Sequence, residues 1–300
     1  MDNKKLKSEN TKLVIAISSR ALLNLDQSHK IFKEKGIEAY AKHQQENEHV
    51  ILEPGVGFTL VKKLLKLNSK KTPIDVILLS RNSADTGLRI FNSIEHYDLN
   101  ISRAAFTRGE STHPFVGAFE ADLFLSSNYN DVQKALQSGY AAASIVESKS
   151  NNSHPSQLRI AFDGDAVIFS DESERIFQEK GLEAFHENEI LSEKIELKAG
   201  PFKSFLVSLQ KIQSTFPEED NPIRTALVTA RSAPSHRRVI HTMRKWGIRI
   251  DESFFLGGLE KGVFLRQFAA DIFFDDQQQH CESASQYVPT GHVPSGIKNS

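Results

Sequence analysis

Two aspartates, Asp163 and Asp165, flank a glycine where the apolar run "LRIAF" ends. Residues of similar character follow far along the chain. Thr229 closes "TALVT", Lys261 sits inside "GGLEKG", and Asp275 and Asp276 come directly after "ADIFF". Carboxylates gathered at one place repel one another and hold a hard cation; Mg²⁺ suits an all-oxygen site and keeps several waters. A carboxylate beside that cation can attack phosphorus and form an aspartyl-phosphate. A second one, two residues on, can protonate the leaving oxygen and then activate water. A threonine hydroxyl and a lysine ammonium can hold phosphoryl oxygens as charge moves in the transition state. The stretch "IAFDGDAVIF" also has a plainer reading, because Asp-Gly between apolar residues is a common hairpin signal.

Such distant residues meet only if the chain brings them to one edge. The runs "LVIAI", "DVILL", "ADLFL", "LRIAF", "TALVT" and "ADIFF" alternate with longer patterned stretches. Continuous apolar runs of this length, separated by helical stretches, predict an α/β fold with a parallel sheet covered on both faces. Ser170, Asp171 and Glu172 open one helix that Gly181 closes; Ser232, Pro234 and Gly247 bracket another. In an open parallel sheet the carboxyl ends of the strands form the ligand edge. Asp163, Thr229 and Asp275-Asp276 all fall there.

The chain also reads as two copies of one unit. Residues 13–40 and 158–185 align without a gap at an offset of 145, with 13 identities in 28 positions, where composition alone gives roughly two. Residues 78–127 align with 227–276 at an offset of 149, so that "EADLFLSS" meets "AADIFFDD". The expected organisation is an internal duplication, with two tandem Rossmann-like domains at 1–150 and 151–300, each with its own parallel sheet. The polar segment 147–157, "ESKSNNSHPSQ", has the composition of a linker.

The ordered set "FDGDAV", "LVT", Lys261 and "FFDD" resembles the four motifs of the haloacid dehalogenase-like (HAD) superfamily of phosphohydrolases. The likeness is longer than those motifs. "AFDGDAVIFSDESE", "VTARSAPSHRRVIHTMRKWGI", "FFLGGLEKG", "ADIFFDDQ" and the tail "VPTGHVPSGI" are similar to the cytosolic type I 5′-nucleotidase family. The resemblance implies Asp163 as nucleophile and metal ligand, and Asp165 as general acid/base and as a ligand through its backbone carbonyl. It implies Thr229 and Lys261 as phosphoryl-binding groups, and Asp275 with Asp276 as the rest of a Mg²⁺ site. The implied substrate is a nucleoside 5′-monophosphate, AMP or a relative, hydrolysed to nucleoside and phosphate. Residues 170–222 would form a small cap, in which Gly200, Phe202 and Lys203 of "GPFK" are candidates for substrate contact, as is Arg231 just past Thr229. Another phosphatase or phosphotransferase of the superfamily, and a silent nucleotide-binding regulator, remain alternatives.

In the first copy the matching positions are Ser18, Arg20, Ser80, Thr112 and Ser126-Ser127, so every acidic ligand is gone while the apolar runs persist. That half is expected to keep the fold without turnover, as a packing partner or a regulatory nucleotide site. With 39% hydrophobic and 25% charged residues and a net charge of -1, nothing global recruits nucleic acid or an anionic membrane. The lone Cys281, the polar start "MDNKKLKSENTK" and the lack of a spanning apolar run point to the cytoplasm. The expected partner is the nucleotide, and a homo-oligomer is compatible with the sequence. "HRRVIHTMRK" reads as a solvated amphipathic helix. "GVGFTLVKK" lacks a Walker or dinucleotide fingerprint, and the histidines show no zinc spacing.

Overall fold

The structure is a computed structural model that describes residues 12–69, 72–146, 148 and 154–299. Most of the expected linker and nearly all of the polar start lie outside the described residues. In chain order the strands are β1 (Leu13–Ser18), β2 (Ile74–Ser80), β3 (Arg103–Phe106), β4 (Leu123–Ser126) and β5 (Ala142–Val146), then β6 (Leu158–Phe162), β7 (Ile223–Thr229), β8 (Glu252–Phe255), β9 (Ile272–Asp275) and β10 (Thr290–His292). The six apolar runs are β1, β2, β4, β6, β7 and β9. Helices connect them, giving the expected α/β architecture.

The strands form one ten-stranded sheet in the order β3-β2-β1-β4-β5-β10-β9-β6-β7-β8. Two sheets were expected; β5 and β10 join them, and theirs is the single antiparallel strand pair among the described residues. The physical reason lies in the edges. Each half-sheet would otherwise leave a row of open backbone donors and acceptors, and pairing satisfies both rows. Gly291 in β10 permits the contact, since a Cβ there would lie 2.7 Å from the Phe274 ring.

The order 3-2-1-4-5 of the first half recurs as 8-7-6-9-10 in the second. Because the halves meet antiparallel, their carboxyl edges point in opposite directions. Ser126, Ser144, His292 and Asp275 stand in one row across β4, β5, β10 and β9. Three inter-strand steps separate the ends of this row, about 14 Å at ordinary strand spacing.

Alternation along the strands sends residues to the two faces. Leu13, Ile15 and Ile17 of β1 join Leu158, Ile160 and Phe162 of β6 in one core that runs under both halves. The opposite face carries two separate clusters, one around Ala16 and Phe124 and one around Ala161 and Phe273. The halves also clasp each other at the strand starts. Lys63 donates to Asp271 at 2.6 Å, and the corresponding Ser208 donates to Asp122 at 2.8 Å.

Gly181 breaks a helix rather than ending it. Glu172–Leu191 continues past Gly181 (φ 81°), just as Asp26–Glu46 continues past Gly36 (φ 80°). In both, a left-handed glycine turns the chain and the helix resumes. The expected cap at 170–222 is not one unit. Helix Lys203–Gln213 buries Phe205, Leu206, Leu209 and Ile212 in the shared core, so it belongs to the layer over the sheet.

Candidate active site

The sequence-derived residues converge because each closes a strand or opens a helix. Asp163 directly follows β6, its amide donating to the Phe274 carbonyl of β9 at 2.8 Å. Thr229 ends β7 and Asp275 ends β9, with Asp276 next to it. Lys261 precedes helix Gly262–Phe268, and its ammonium donates to Asp163 at 2.8 Å and to Asp275 at 2.6 Å. After Asp163 the chain makes no hairpin. Residues Gly164–Ile168 form a tight turn closed by the Phe169 amide on the Gly164 carbonyl at 2.9 Å. Ala166 takes a left-handed φ of 59° there, a strained conformation for a residue with a Cβ.

Carboxylate oxygens of Asp163, Asp275 and Asp276 lie within 4.8 Å of one another, all three residues buried. Burial pushes the Asp163 carboxyl up to about 7; Lys261 opposes this and Asp275 adds to it. Burial and the Asp163 and Asp275 charges push Asp276 further, to about 10. Burial would raise Asp275 too, but the Lys261 ammonium and His280 hold it down at about 2. Lys261 itself is held above the usual lysine range: burial works against its charge, and the Asp163 and Asp275 carboxylates outweigh burial. One ammonium thus serves three acids, and both Asp276 oxygens are buried with no hydrogen-bond partner. Buried acids without a counter-charge are costly. A divalent cation held by oxygen ligands fits this donor set.

The Asp165 carboxylate is not part of this group. It faces away and accepts both arms of Arg231, Nε at 2.8 Å and Nη2 at 2.7 Å. Arg231 is buried, and its third nitrogen, Nη1, donates to Glu189 at 2.6 Å. Of the candidate substrate contacts, Phe202 is corrected. Its ring is fully buried against Phe162, Phe205 and Phe274, in the core beneath the site. Gly200 is a close approach, since a Cβ would lie 2.3 Å from the Phe169 carbonyl oxygen. Lys203 Nζ lies over the Trp246 ring at 4.1 Å.

Sequence reasoning missed several groups. Glu189 is fully buried and accepts from Arg231, Arg238 and Ser173. His292 and Asn299 donate to the Asp276 carbonyl at 2.9 and 2.8 Å, which fixes the backbone under the third acid. His280 stands 3.3 Å from Asp275. One signal was available for Glu189. Its aligned position in the first half is Gln44, so an acid is lost there as at the motif positions.

Comparison with known proteins agrees with this geometry. A family profile described as 5′-nucleotidase matches residues 5–300. Human cytosolic 5′-nucleotidase 1B is 40% identical over 288 residues, covering 91% of this chain and 47% of that protein. The chain therefore spans about half the length of the curated relative it matches. No solved structure matches it significantly, and among the described residues no helix is long and apolar enough to cross a membrane. With its four motifs assembled at one sheet edge and the match running almost end to end, the chain belongs to the 5′-nucleotidase family of the HAD superfamily.

Proposed function

We propose that the chain is a Mg²⁺-dependent 5′-nucleotidase that converts nucleoside 5′-monophosphates, AMP or its relatives, into nucleoside and phosphate. One observation carries the reading: a member of this family places three buried acids around a single ammonium, with Asp276 left wholly unpartnered. The carboxylates of Asp163, Asp275 and Asp276 and the carbonyl of Asp165 would hold the metal. Once bound, the metal would offset negative charge on the phosphoryl group.

The chain's own residues would carry out the rest. An Asp163 oxygen attacks phosphorus, the bond to the nucleoside 5′ oxygen breaks, and that oxygen takes a proton from Asp165. Water then attacks the phosphorus of the aspartyl-phosphate and gives a proton to Asp165, freeing Asp163 and phosphate. The Thr229 hydroxyl and Lys261 ammonium bind phosphoryl oxygens, Lys261 exchanging part of its carboxylate contacts for them. The repeated strand order supports a duplication into 1–150 and 151–300, with helix Glu172–Leu191 as the small cap and the first half catalytically silent. A cytoplasmic setting fits this chemistry.

Phosphate release across nucleoside monophosphates and sugar phosphates, with Mg²⁺ titrated to zero, tests the proposal. Turnover of AMP-like substrates that a chelator stops is the expected result. Preference for a sugar phosphate, or transfer to an added nucleoside, would favour another phosphatase or phosphotransferase. Nucleotide binding without metal-dependent release would favour a regulator.

A further inference from the structure

Arg231 occupies both oxygens of Asp165. A carboxyl gripped at both oxygens by one guanidinium keeps a lone pair on each, but the fork fixes their direction and the carboxyl cannot turn toward a leaving oxygen. For leaving-group protonation, at least one must come free. Arg231 is itself buried, its side chain 3% exposed, so its charge cannot simply be handed to water. A buried guanidinium that lets go of one carboxylate needs another. Glu189, with a fully buried side chain, is that other: it accepts Arg231 Nη1 at 2.6 Å. It is anchored in turn by Arg238 at 2.9 Å and by the Ser173 hydroxyl at 2.8 Å.

The first half of the molecule supplies an internal control. There Ser28 donates to Gln44 at 3.1 Å, Arg89 Nη1 to Gln44 at 3.2 Å, and Arg89 Nε to the Val50 carbonyl at 2.8 Å. These repeat the bonds of Ser173 and Arg238 to Glu189, and of Arg238 Nε to the Ile195 carbonyl at 2.9 Å. The scaffold that pins the broken helix is therefore the same in both halves. Beside Arg238 one position differs, Gln27 standing where Glu172 accepts Nη2 of Arg238 at 3.0 Å, and around Arg231 two more. Gln44 replaces Glu189, and Asn82 replaces Arg231, in the half where Arg20 stands at the Asp165 position. The charge is present only where there is an acid to aim, so packing of the helix does not require it.

We propose that Glu189 is a positioning residue that holds the counter-charge of Arg231, allowing Arg231 to release one oxygen of Asp165 for the leaving group. Broken helix Glu172–Leu191, which carries Glu189, and the acid on the turn after β6 then work as one unit. Without Glu189, Arg231 has Asp165 as its remaining carboxylate and keeps it occupied. The inference rests on the reading of Asp165 as the acid/base.

The test compares two substrates in the Mg²⁺-loaded enzyme: AMP, whose alkoxide must be protonated, and an aryl phosphate with an acidic phenol, which leaves unaided. The Gln44 scaffold shows that an amide fits this site, so Glu189→Gln is the variant of choice. It should lose about 10- to 100-fold in kcat on AMP, part of the roughly 100- to 10,000-fold a placed acid contributes. Its kcat on the aryl phosphate should stay within about twofold of wild type, and KM for AMP should hold. Adding Arg231→Asn to Glu189→Gln reproduces the first-half pair and should return part of the AMP activity. Equal loss on both substrates, or wild-type kcat on AMP, would overturn the proposal. Asp165→Asn separates this from the underlying reading: if that variant still turns over AMP, the acid/base assignment itself has failed. Should Glu189→Gln not fold, the double variant Glu189→Gln/Arg231→Asn carries the test alone, since it removes the clamp with the charge, and an AMP-to-aryl ratio in it as low as that of Asp165→Asn overturns the proposal.

Discussion

At the carboxyl ends of β1, β2 and β4 the first half carries Ser18, Ser80 and Ser126; at the matching ends of β6, β7 and β9 the second carries Asp163, Thr229 and Asp275. The strands beneath are alike, and the electrostatics are opposite. In the first half the hydroxyls satisfy one another and the backbone: Ser19 meets Ser80 at 3.0 Å, and Ser18 accepts from the amides of Ala21 and Ser127. Its one buried acid in this region, Asp131, is matched by two Arg81 donors and the Thr112 hydroxyl. In the second half three acids share one ammonium, and one of them has no hydrogen bond. A fold built for stability neutralises its ends. The second half leaves its ends in charge deficit, and the contrast within one sheet shows which residues carry it.

The sharpest way to break this comparison is a matched pair of substitutions. Asp163→Asn should lower kcat on AMP by about 1,000-fold or more, while Ser18→Ala leaves it within about twofold. Loss of turnover in Ser18→Ala, or its survival in Asp163→Asn, would reverse the assignment of halves. The next effect is on folding. Glu189→Ala takes one carboxylate from each of two buried guanidiniums, leaving Arg231 with Asp165 and Arg238 with Glu172, and should destabilise the protein by about 3 kcal/mol, the low end for a broken buried pair. Gln44→Ala removes an uncharged acceptor from the Ser28 hydroxyl and the Arg89 guanidinium and should cause a loss of about 1–3 kcal/mol. Denaturant melts of the pair give the difference directly.

A smaller effect follows from the raised carboxyls of Asp163, at about 7, and Asp276, at about 10. A group whose pKa is higher folded than unfolded adds stability below the unfolded value and loses it as pH rises through the folded one. Asp275, held at about 2, contributes in the other sense, and its share disappears only as pH falls toward that value. Between pH 5 and 8 the raised pair therefore dominates, and metal-free protein should melt lower at pH 8, by about 5 °C. Mg²⁺ should remove most of that slope, as should Asp276→Asn without metal. The serines of the first half do not titrate in this range. Smallest of all, Gln44→Glu beside Arg89 should shift stability by less than about 1 kcal/mol and leave turnover unchanged.

Much of the fold was legible because β1, β2, β4, β6, β7 and β9 are buried on both faces, which writes them as unbroken apolar runs. The other four strands carry no such pattern. "RAAF" and "ESFF" lie at the sheet edges, and "AASIV" and "TGH" owe their conformation to each other across the seam. The site was legible where chemistry coincides with a strand end, as at Asp163, Thr229 and Asp275. It was illegible where a side chain acts through another. Glu189 sits in "HENEIL" among exposed acids, and apart from its alignment with Gln44 it is its Arg231 and Arg238 partners, more than forty positions on, that set it apart. Phe202 failed for a different reason: it was a candidate for substrate contact only as part of "GPFK", and its ring is buried in the floor beneath the site.

The seam between β5 and β10 bears on how such a chain can be shortened. Three residues of β10, one of them a glycine with no room for a side chain, hold the junction from one side. Cutting away the first half would strip the outer flank from this short ribbon and open a long apolar wall where Ile15 and Ile17 now meet the helix that follows Phe202. An exposed edge above an uncovered wall invites self-association. The first half thus retains the second through its backbone, whatever its strand ends carry.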